Sequence, residues 1–374
     1  MIQRAYLDNN ATTPTDPRVV DEMLPYFSEQ FGNASSRNHA YGWEAKEAVD
    51  HAREQVADLI GANPNEIVFT SGATESNNLA LKGLLNEGNH FITCATEHKA
   101  ILDPAESLAA KGIDVEILPV QSDGLLEINE LQKKISDHTR LVSIMMANNE
   151  TGCTQPIKEL STFTHSNQGL FHTDATQAVG KIPVEVSDLG IDLMSFSSHK
   201  MYGPKGIGAL YIRKGTKVGS LIEGGGHERG IRSGTLNVPA IVGFGKACEL
   251  CKQEMREEGS RIKSLRDKLE QSLLSIEGTQ LNGGKENRLP NVTNIAFSGV
   301  DSERLLLSLN GLAVSQGSAC TSAVVEPSHV LKAMGIPDQL ANSSLRFSLG
   351  RFTTDEEVDF AIQKVTEAVS KLRA

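Results

Sequence analysis

A stretch near the middle of the chain decides the fold, because a strand, a helix and a second strand follow one another there. Leu141-Val-Ser-Ile-Met-Met146 is an apolar run typical of a buried strand, Pro156–Ser166 has the spacing of an amphipathic helix, and Leu170-Phe-His-Thr173 is a second strand pattern. A helix that crosses over between two strands places them parallel and in one sheet. The stretch therefore predicts a parallel α/β sheet.

The same alternation of patterns extends on both sides of this unit. We therefore expect a large α/β domain with a mostly parallel sheet and helices on both faces. The further predicted strands are Glu66–Thr70, Phe91–Cys94, Val115–Val120, Asp192–Phe196 and Gly208–Ile212, and the further predicted helices are Glu75–Leu85, Ala100–Ala110 and Ile128–Ile135.

The pattern changes near residue 237. Val238–Met255 and Arg261–Ile276 predict two long helices separated around Gly259, and shorter strands and helices alternate beyond them. The sequence therefore predicts a large domain over residues 15–255 and a smaller α+β domain formed by residues 1–14 and 256–374. The elements predicted in the smaller domain are the strands Val292–Phe297 and Ser344–Ser348 and the helices Ser302–Leu309 and Thr354–Leu372.

Composition restricts the classes of protein to which the chain can belong. Its 374 residues, 39% hydrophobic and 22% charged, are typical of a globular protein of two or three domains. The formal net charge of −11 argues against nucleic-acid binding through a basic surface. No apolar run approaches the ~18 residues that cross a bilayer, and the N-terminus lacks a secretory apolar stretch. The odd count of 5 cysteines favours reduced thiols, so we expect a cytoplasmic protein.

Polar residues follow several predicted strands, at the edge of a parallel sheet where ligands bind. Ser71-Gly-Ala-Thr74 opens a helix and suits a phosphate, although a simple capped helix is the alternative. The other residues each have an alternative structural explanation, such as a buried histidine, a polar turn or a solvated lysine. They are Thr96-Glu-His98, Asn148-Asn-Glu150, Asp174 with Gln177 one turn later, and Ser197-Ser-His-Lys200.

The combination of these weak signals is more specific than any one of them. A phosphate cradle, a buried carboxylate, a histidine and a lysine amine on one sheet edge match pyridoxal 5′-phosphate (PLP). In PLP chemistry a lysine forms a Schiff base with the aldehyde, and an aspartate keeps the pyridine nitrogen protonated. The ring then withdraws electrons from the Cα of a bound amino acid. The sequence therefore predicts a PLP site.

A cysteine occurs in the run of small, polar residues Ser315-Gln-Gly-Ser-Ala-Cys320-Thr-Ser-Ala323. Such a run is poorly suited to the interior of a helix or strand, so we expect a mobile loop. Cys320 is then either an incidental surface thiol or a nucleophile carried to the active site, and the residues leave both interpretations open. A thiol with an ordinary pKa is only about 3% ionised at pH 7, so a reactive Cys320 needs local activation.

Three further features of the sequence are candidates for binding a substrate, a phosphate or a metal. Arg346 lies in a strand pattern and presents a planar fork that matches a substrate carboxylate, with a surface arginine as the alternative. The glycine-rich run Gly224–Thr235 predicts a loop that ends at a helix start, a second candidate phosphate contact. Cys248 and Cys251 form a C-x-x-C pattern inside a predicted helix, and the sequence lacks a second pair for a zinc site. We expect these two cysteines to be packing residues.

Ordered motifs over nearly the whole chain resemble the cysteine desulfurases of the NifS/IscS type, PLP enzymes of the class V aminotransferase group. The resemblance runs from Tyr6-Leu-Asp-Asn-Asn-Ala-Thr-Thr-Pro14 to Leu345-Arg-Phe-Ser-Leu-Gly-Arg-Phe-Thr353. The motifs between these two are Phe69–Ser76, Thr96–Lys99, Asn148–Gly152, His172–Gln177, Asp192–Lys200 and Gly317–Ser322.

The resemblance implies PLP fold type I and a homodimer that converts L-cysteine to L-alanine. Sulfur would pass to Cys320 as a persulfide and supply iron–sulfur cluster assembly or other thio-cofactors. Cys320, Lys200 and His98 would be catalytic, with Lys200 forming the Schiff base and His98 stacking on the ring. Asp174 would pair with the pyridine nitrogen, and Arg346 would bind the substrate carboxylate. Gln177 and Asn149 would contact the ring oxygen or the substrate carboxylate. The phosphate would be held by Ala73, Thr74, Ser197 and His199 of one subunit, together with Thr235 from the partner subunit.

Alternatives to this function stay open. A selenocysteine lyase or a small-substrate aminotransferase could use the same fold, and a sulfur-carrying platform could lack turnover. The longer cysteine loop, ending at Glu326-Pro-Ser328, resembles the subgroup that serves iron–sulfur assembly, where Cys320 could be a transient iron–sulfur ligand. Two departures from the family pattern are Ala34, where proline is common, and the end of the chain at Ala374. Relatives that dock a scaffold protein often have a longer tail, which leaves that partnership open.

Overall fold

Parallel strands joined by helices build the larger part of the molecule. The structure is a computed structural model and describes residues 4–316 and 327–374. Its strands are β1 (Ala5–Tyr6), β2 (Ile67–Thr70), β3 (His90–Cys94), β4 (Asp114–Leu118), β5 (Thr139–Ser143), β6 (Leu170–Asp174), β7 (Leu193–Ser197), β8 (Gly208–Ile212), β9 (Thr279–Leu281), β10 (Val292–Phe297), β11 (Leu312–Ala313) and β12 (Ser344–Ser348). Its helices are α1 (Pro17–Met23), α2 (Pro25–Ser28), α3 (Ala40–Leu59), α4 (Ala73–Leu84), α5 (Lys99–Ala109), α6 (Ile128–Lys134), α7 (Ile157–Ser166), α8 (Val238–Leu274), α9 (Ser302–Ser308), α10 (His329–Ala333), α11 (Asp338–Ala341) and α12 (Asp355–Arg373).

The large sheet has the strand order β2-β8-β7-β6-β5-β3-β4. The pairs from β4 through β7 are parallel, which confirms the predicted mostly parallel sheet. β8 is antiparallel to both β7 and β2, so this side of the sheet departs from the parallel pattern. The chain reverses its direction of progress across the sheet between β3 and β5. Ligand crevices form at such a switch point, outside the carboxyl ends of the strands.

The central strands are buried on both faces, which explains why their sequences are continuous apolar runs. In β7, Met194 and Phe196 pack into the core on one face of the sheet, whereas Leu193 packs into the core on the other. This alternation follows from the pleat of a strand. Phe244 of α8 packs near Phe196, with 5.7 Å between the ring centroids. The sheet is therefore a rigid base for the residues that follow its strands.

The smaller part of the molecule has its own sheet and core. β10 pairs antiparallel with β12 and β9, and β1 pairs parallel with β11. Leu7, near the start of the chain, shares this core with Phe297, Phe347 and Val365. The exact division into residues 15–255 and the two flanking segments stays a prediction. In the described residues, no helix is both long and apolar enough to cross a membrane.

Helix α8 connects the two cores without interruption, and the predicted break around Gly259 is therefore wrong. Glycine lowers helix propensity by about 1 kcal/mol relative to alanine, which is too little to end a helix held by packing at both ends. Phe244 and Cys248 anchor its first half in the large core, and Leu265 and Leu269 anchor its second half in the small one.

The substitution Gly259→Ala should stabilise the protein. A Cβ atom there would lie 3.9 Å from the carbonyl oxygen of Lys181 and 4.0 Å from Cγ of Pro290, which is ordinary contact. We expect the free energy of unfolding to rise by about 0.5–1 kcal/mol, measured by urea denaturation. In the matched control Gly245→Ala, also in α8, the Cβ would lie 2.7 Å from Cα of Ala52, so this variant should lose stability. A loss of stability in Gly259→Ala would contradict the finding that α8 continues as a helix through Gly259.

Candidate active site

The carboxylate of Asp174 lies at the carboxyl end of β6, where the sequence places it, and is 5% exposed. Its Oδ2 accepts a hydrogen bond from Nδ2 of Asn77 at 2.7 Å, and its Oδ1 accepts one from the backbone N–H of Thr176 at 3.0 Å. These two donors fix the orientation of a nearly buried acid. An acid so placed can pair with a cationic group of a ligand bound at this edge.

His98 follows β3 and caps the N-terminus of α5. Its Nδ1 accepts a hydrogen bond from the backbone N–H of Ala100 at 3.0 Å, so a neutral ring carries its proton on Nε2. Burial lowers the pKa of His98; the positive charge of Lys200 acts in the same direction, whereas the charge of Asp174 opposes it. Asp174 and Lys200 thus both lie within electrostatic range of His98 at this edge of the sheet.

Lys200 ends the short 3-10 turn Ser198–Lys200 that follows β7. Its Nζ donates to the carbonyl oxygens of Asn10 and Ala11, each at 2.6 Å. Nε2 of Gln177 donates to the same Asn10 carbonyl at 3.0 Å, and Nδ2 of Asn10 donates to the carbonyl of Asn149 at 3.0 Å. Asn10 therefore joins three predicted site residues.

Asn10 lies within a motif of the sequence but was not predicted as a site residue. The only local signal is the run of three polar residues Asp8-Asn-Asn10 that follows Leu7. Asn9 and Asn10 are only 4% and 1% exposed, and buried amides require hydrogen-bond partners.

Arg346 on β12 is nearly buried and already has a carboxylate partner. Its Nη2 donates to Oδ1 of Asp8 at 2.6 Å, and its Nη1 donates to the carbonyl of Asn149 at 3.1 Å. Its Nε has no hydrogen-bond partner in the part of the chain that the structure describes. Asp8 was not singled out from the sequence. The guanidinium is therefore oriented by one carboxylate and keeps an N–H group for another acceptor.

The start of α4 has the features of an anion cradle. Among the described residues no side chain caps this helix, and Gly72 at its N-cap has a φ of 151°, which residues with a Cβ rarely adopt. A Cβ on Gly72 would lie 3.6 Å from Oγ of Ser197, so the hydroxyl of Ser197 and the first N–H groups of α4, at Ala73 and Thr74, share one space.

Two other residues, His199 and Thr235, are predicted to contact the phosphate, and each has its own surroundings, distinct from the start of α4. Nδ1 of His199 lies 3.1 Å from Oγ1 of Thr12, and burial, with the charge of Lys200, lowers the His199 pKa to about 4. Thr235 is exposed in the loop before α8.

Cys320 lies outside the described residues, within the segment 317–326, but both flanks of that segment are described. On one side, the backbone of Ser315 exchanges two hydrogen bonds with the backbone of Arg346, at 3.2 and 2.7 Å. On the other, Oγ of Ser328 donates to Oε2 of Glu150 at 2.5 Å, and Nε2 of His329 donates to the carbonyl of Glu97 at 2.9 Å. Both flanks are attached next to predicted site residues.

Buried titratable groups lie beneath the site. Glu97 is fully buried, its Oε1 accepts from the backbone N–H of Met145, and burial with the charge of Asp174 raises its pKa well above the usual range. His172 lies between two hydroxyls, with Nδ1 at 2.7 Å from Ser143 and Nε2 at 3.0 Å from Ser195. Burial lowers the pKa of His172 to about 4. The buried cysteines Cys248 and Cys251 pack within α8, as expected.

The donor set fits PLP in its chemistry. The uncapped start of α4 beside Ser197 suits a phosphate, because a side chain at Gly72 would project into that space. The nearly buried Asp174 suits a protonated ring nitrogen, and the amine of Lys200 suits an aldehyde.

Comparison with known proteins supports this fit. The sequence signature described as "Aminotransferase class-V" matches residues 5–360. The cysteine desulfurase IscS of Histophilus somni is 54% identical over 376 residues, covering 98% of this chain and 93% of that protein. The mitochondrial cysteine desulfurase of Arthroderma benhamiae is 53% identical over 376 residues, covering 98% of this chain and 75% of that protein.

Solved structures are similar over the same length. A NifS-like protein superimposes with a TM-score of 0.93 at 41% identity, covering 98% of this chain and 100% of that one. A structure titled "SspA in complex with cysteine" superimposes with a TM-score of 0.82 at 36% identity, covering 93% of this chain and 99% of that one.

The buried His172 should make stability depend on pH. Its pKa of about 4 in the folded state lies below the value of about 6.5 in an unfolded chain, so unfolding takes up a proton between these values. Stability contributed by the neutral ring is complete above pH 6.5 and falls as the pH drops towards 4. His172→Gln keeps hydrogen bonds to both hydroxyls without a titrating group. When the pH is lowered from 7 to 5, the free energy of unfolding should fall in both proteins. We expect this fall to be about 2 kcal/mol smaller in His172→Gln than in the parent.

The measurement is urea denaturation of the PLP-free protein at both pH values. His51→Gln, which replaces an exposed histidine, serves as the control and should keep the pH dependence of the parent. Equal pH dependence of His172→Gln and the parent would show that His172 is not held neutral.

Proposed function

The chain belongs to the class V aminotransferase family and, within it, to the cysteine desulfurases, and from this premise we propose the reaction that its residues carry out. It is a PLP-dependent enzyme of fold type I that converts L-cysteine to L-alanine. The enzyme thiol and L-cysteine give an enzyme persulfide and L-alanine, which balances in atoms and charge. The observation that carries the proposal is the convergence of His98, Asp174 and Lys200 at one edge of the large sheet, with Arg346 of β12 hydrogen-bonded to the carbonyl of Asn149.

PLP, when bound, supplies an electrophilic aldehyde and a ring that accepts electrons from the Cα of an amino acid. Lys200 would hold the aldehyde, Asp174 would keep a proton at the pyridine nitrogen, and His98 would pack on the ring. Gln177 and Asn149 would hold the ring oxygen or the substrate carboxylate. The phosphate would be held by Ala73, Thr74, Ser197 and His199 of one subunit, together with Thr235 from the partner subunit.

Proton transfer falls to Lys200 and His98. The amine of Lys200 lies within electrostatic range of His98, and we assign to it the transfer of the proton at the substrate Cα. His98 is held as a neutral ring by burial, with Nε2 as its protonated nitrogen, and can pass that proton to a substrate group. Both residues follow strands of the same sheet, His98 after β3 and Lys200 after β7, so both can act from the same edge of the sheet.

Arg346 binds the substrate carboxylate. Its guanidinium is fixed by Asp8 and by the carbonyl of Asn149, so it loses little side-chain entropy when a second carboxylate binds. The solved relative SspA is described in complex with cysteine, which supports an amino acid of this kind as the ligand.

Cys320 receives the sulfur. It follows Ser315 by five residues in the sequence, and an extended chain spans at most about 3.5 Å per residue, so the connecting chain is long enough to cover about 17 Å. Since Ser315 is hydrogen-bonded to the backbone of Arg346, this length is enough to reach a substrate held by Arg346. The thiolate of Cys320 attacks the substrate sulfur, the S–S bond forms as the Cβ–S bond breaks, and Cβ takes up a proton.

The setting of the enzyme forms part of the same proposal. A homodimer is supported by the exposed position of Thr235, which leaves it available to a second copy. A reducing compartment such as the cytoplasm is supported by the free thiols of the described cysteines. The sulfur would supply iron–sulfur cluster assembly or other thio-cofactors, as the resemblance of the sequence to the NifS/IscS type implies.

The substitution Cys320→Ala should abolish sulfur transfer and leave PLP binding intact. We expect alanine formation from L-cysteine to fall by about a thousandfold, as when a catalytic nucleophile is removed. The measurement combines alanine quantification with mass spectrometry of the persulfide on Cys320 in the PLP-loaded parent.

Cys248→Ala, which removes a thiol buried in α8, is the control and should keep turnover. Normal alanine formation by Cys320→Ala would rule out its thiol as the acceptor. A parent that binds PLP yet forms no alanine would instead indicate a sulfur-carrying platform, and faster turnover of selenocysteine would indicate a selenocysteine lyase.

The substitution Arg346→Gln should weaken binding of L-cysteine more than it slows turnover. The lost charge-assisted hydrogen bonds correspond to a rise in KM of about 10- to 100-fold. Inhibition by cysteamine, which has the amine and thiol but no carboxylate, is the control and should be unchanged. An equal effect on L-cysteine and cysteamine binding would place the role of Arg346 elsewhere.

A further inference from the structure

Lys181 lies beside the active site and has no task in the reaction described above. Its Nζ donates to Oε1 of Gln177 at 2.7 Å and lies 3.4 Å from Oδ1 of Asn10. Asn10 also accepts the amine of Lys200 through its carbonyl oxygen. Two lysine amines therefore approach the same asparagine, one on its side chain and one on its backbone.

The surroundings of Lys181 disfavour its charged form. Within residues 4–316 and 327–374, no carboxylate forms an ion pair with it. Burial lowers its pKa to about 7, with repulsion from Lys200 and Arg346, while the charges of Cys251 and Glu258 act in the opposite direction. A pKa of about 7 means that we expect the charge of Lys181 to change near neutral pH.

The amine also determines which way the carboxamide of Gln177 faces. The oxygen and the NH₂ group of a glutamine are nearly equal in shape, so the hydrogen-bond partners decide the orientation. Because Lys181 donates to Oε1, the NH₂ group faces the opposite side and donates to the carbonyl of Asn10 at 3.0 Å. A donor is thus presented on the side of Lys200.

We propose that Lys181 is a positioning residue of the active site, which holds the NH₂ group of Gln177 towards Asn10 and Lys200 and sets the electrostatic potential at Lys200 and Arg346. The inference rests on the proposed function, since that function assigns Gln177 and Lys200 to PLP. It adds a residue that acts through Gln177 and through its charge, without touching PLP or substrate.

A titrating charge at this place has a consequence for pH dependence. Below about pH 7 a protonated Lys181 adds positive potential near Lys200 and Arg346, and above that pH the potential is lost. Bound PLP would report such a change through its absorbance, because the protonation of the nitrogen that joins it to Lys200 would depend on nearby charge. The other titratable groups that bear on Lys181 are Glu258 and Cys251; burial raises the pKa of Cys251 to about 12, and no proposed variant alters either group.

The test compares three variants. Lys181→Met keeps the length of the side chain without donor or charge, Lys181→Arg keeps the charge at every pH, and Lys158→Met removes an exposed lysine on α7 as the control. The measurements are the absorbance of PLP-loaded protein from pH 6 to 9 and the affinity of the PLP-free protein for PLP. We expect a spectral step near pH 7 in the parent and in Lys158→Met, and none in either Lys181 variant.

The two Lys181 variants should also differ from each other. Lys181→Met lacks the donor at every pH and should bind PLP more weakly than the parent throughout, by about tenfold at pH 6, whereas Lys181→Arg should resemble the parent at pH 6. If Lys181 acts through Gln177, the effects of Lys181→Met and Gln177→Ala on PLP affinity should not add in the double variant.

A spectral step near pH 7 that persists in both Lys181 variants, or additive effects in the double variant, would overturn the proposal. Should Lys181→Met not fold, Lys181→Arg alone decides, because a retained step there contradicts the assignment. The test does not depend on turnover. A parent that binds PLP but forms no alanine would therefore refute the proposed function. The role of Lys181 would still be decided by the absorbance and PLP-affinity measurements.

Discussion

The active site depends on one buried residue near the start of the chain, Asn10. Its backbone N–H donates to Oγ of Ser348 on β12, its side-chain N–H donates to the carbonyl of Asn149, and its own carbonyl accepts from Lys200 and Gln177. A buried amide that lost these partners would cost about 1–3 kcal/mol for each unsatisfied group, so the arrangement is held firmly. The smaller part of the molecule is thereby fixed against the strand ends of the larger sheet.

The positions of the site residues at strand ends could be predicted because a parallel sheet brings its carboxyl ends to one edge. Asp174, His98 and Lys200 follow different strands and meet there, although 102 positions separate the outer two in sequence. Asp8 could not be predicted as the partner of Arg346, since 338 positions separate them and either charge could equally have faced solvent. Pairings of this kind depend on how the two cores pack, which no local pattern encodes.

The elements that sequence patterns described poorly have a physical explanation in tertiary packing. Gly259 weakens local helix propensity, yet α8 continues through it because each half is anchored in a separate core. Gly208–Ile212 was correctly predicted as a strand, but its antiparallel direction depends on the short connection from β7, which lacks a crossover helix. Helix α3 was not predicted, and its polar outer face makes its apolar stripe narrow.

The separate attachment of the two ends of segment 317–326 has a consequence for how the family could diversify. Ser315 is bonded to Arg346 and Ser328 to Glu150, so insertions between these anchors would leave the cofactor pocket undisturbed. Closing a longer chain is inexpensive, since each doubling of its length adds only about 0.6 kcal/mol of entropy. Evolution can therefore change how far from the protein surface the sulfur is handed over, and to which recipient, by altering segment length while the chemistry stays the same.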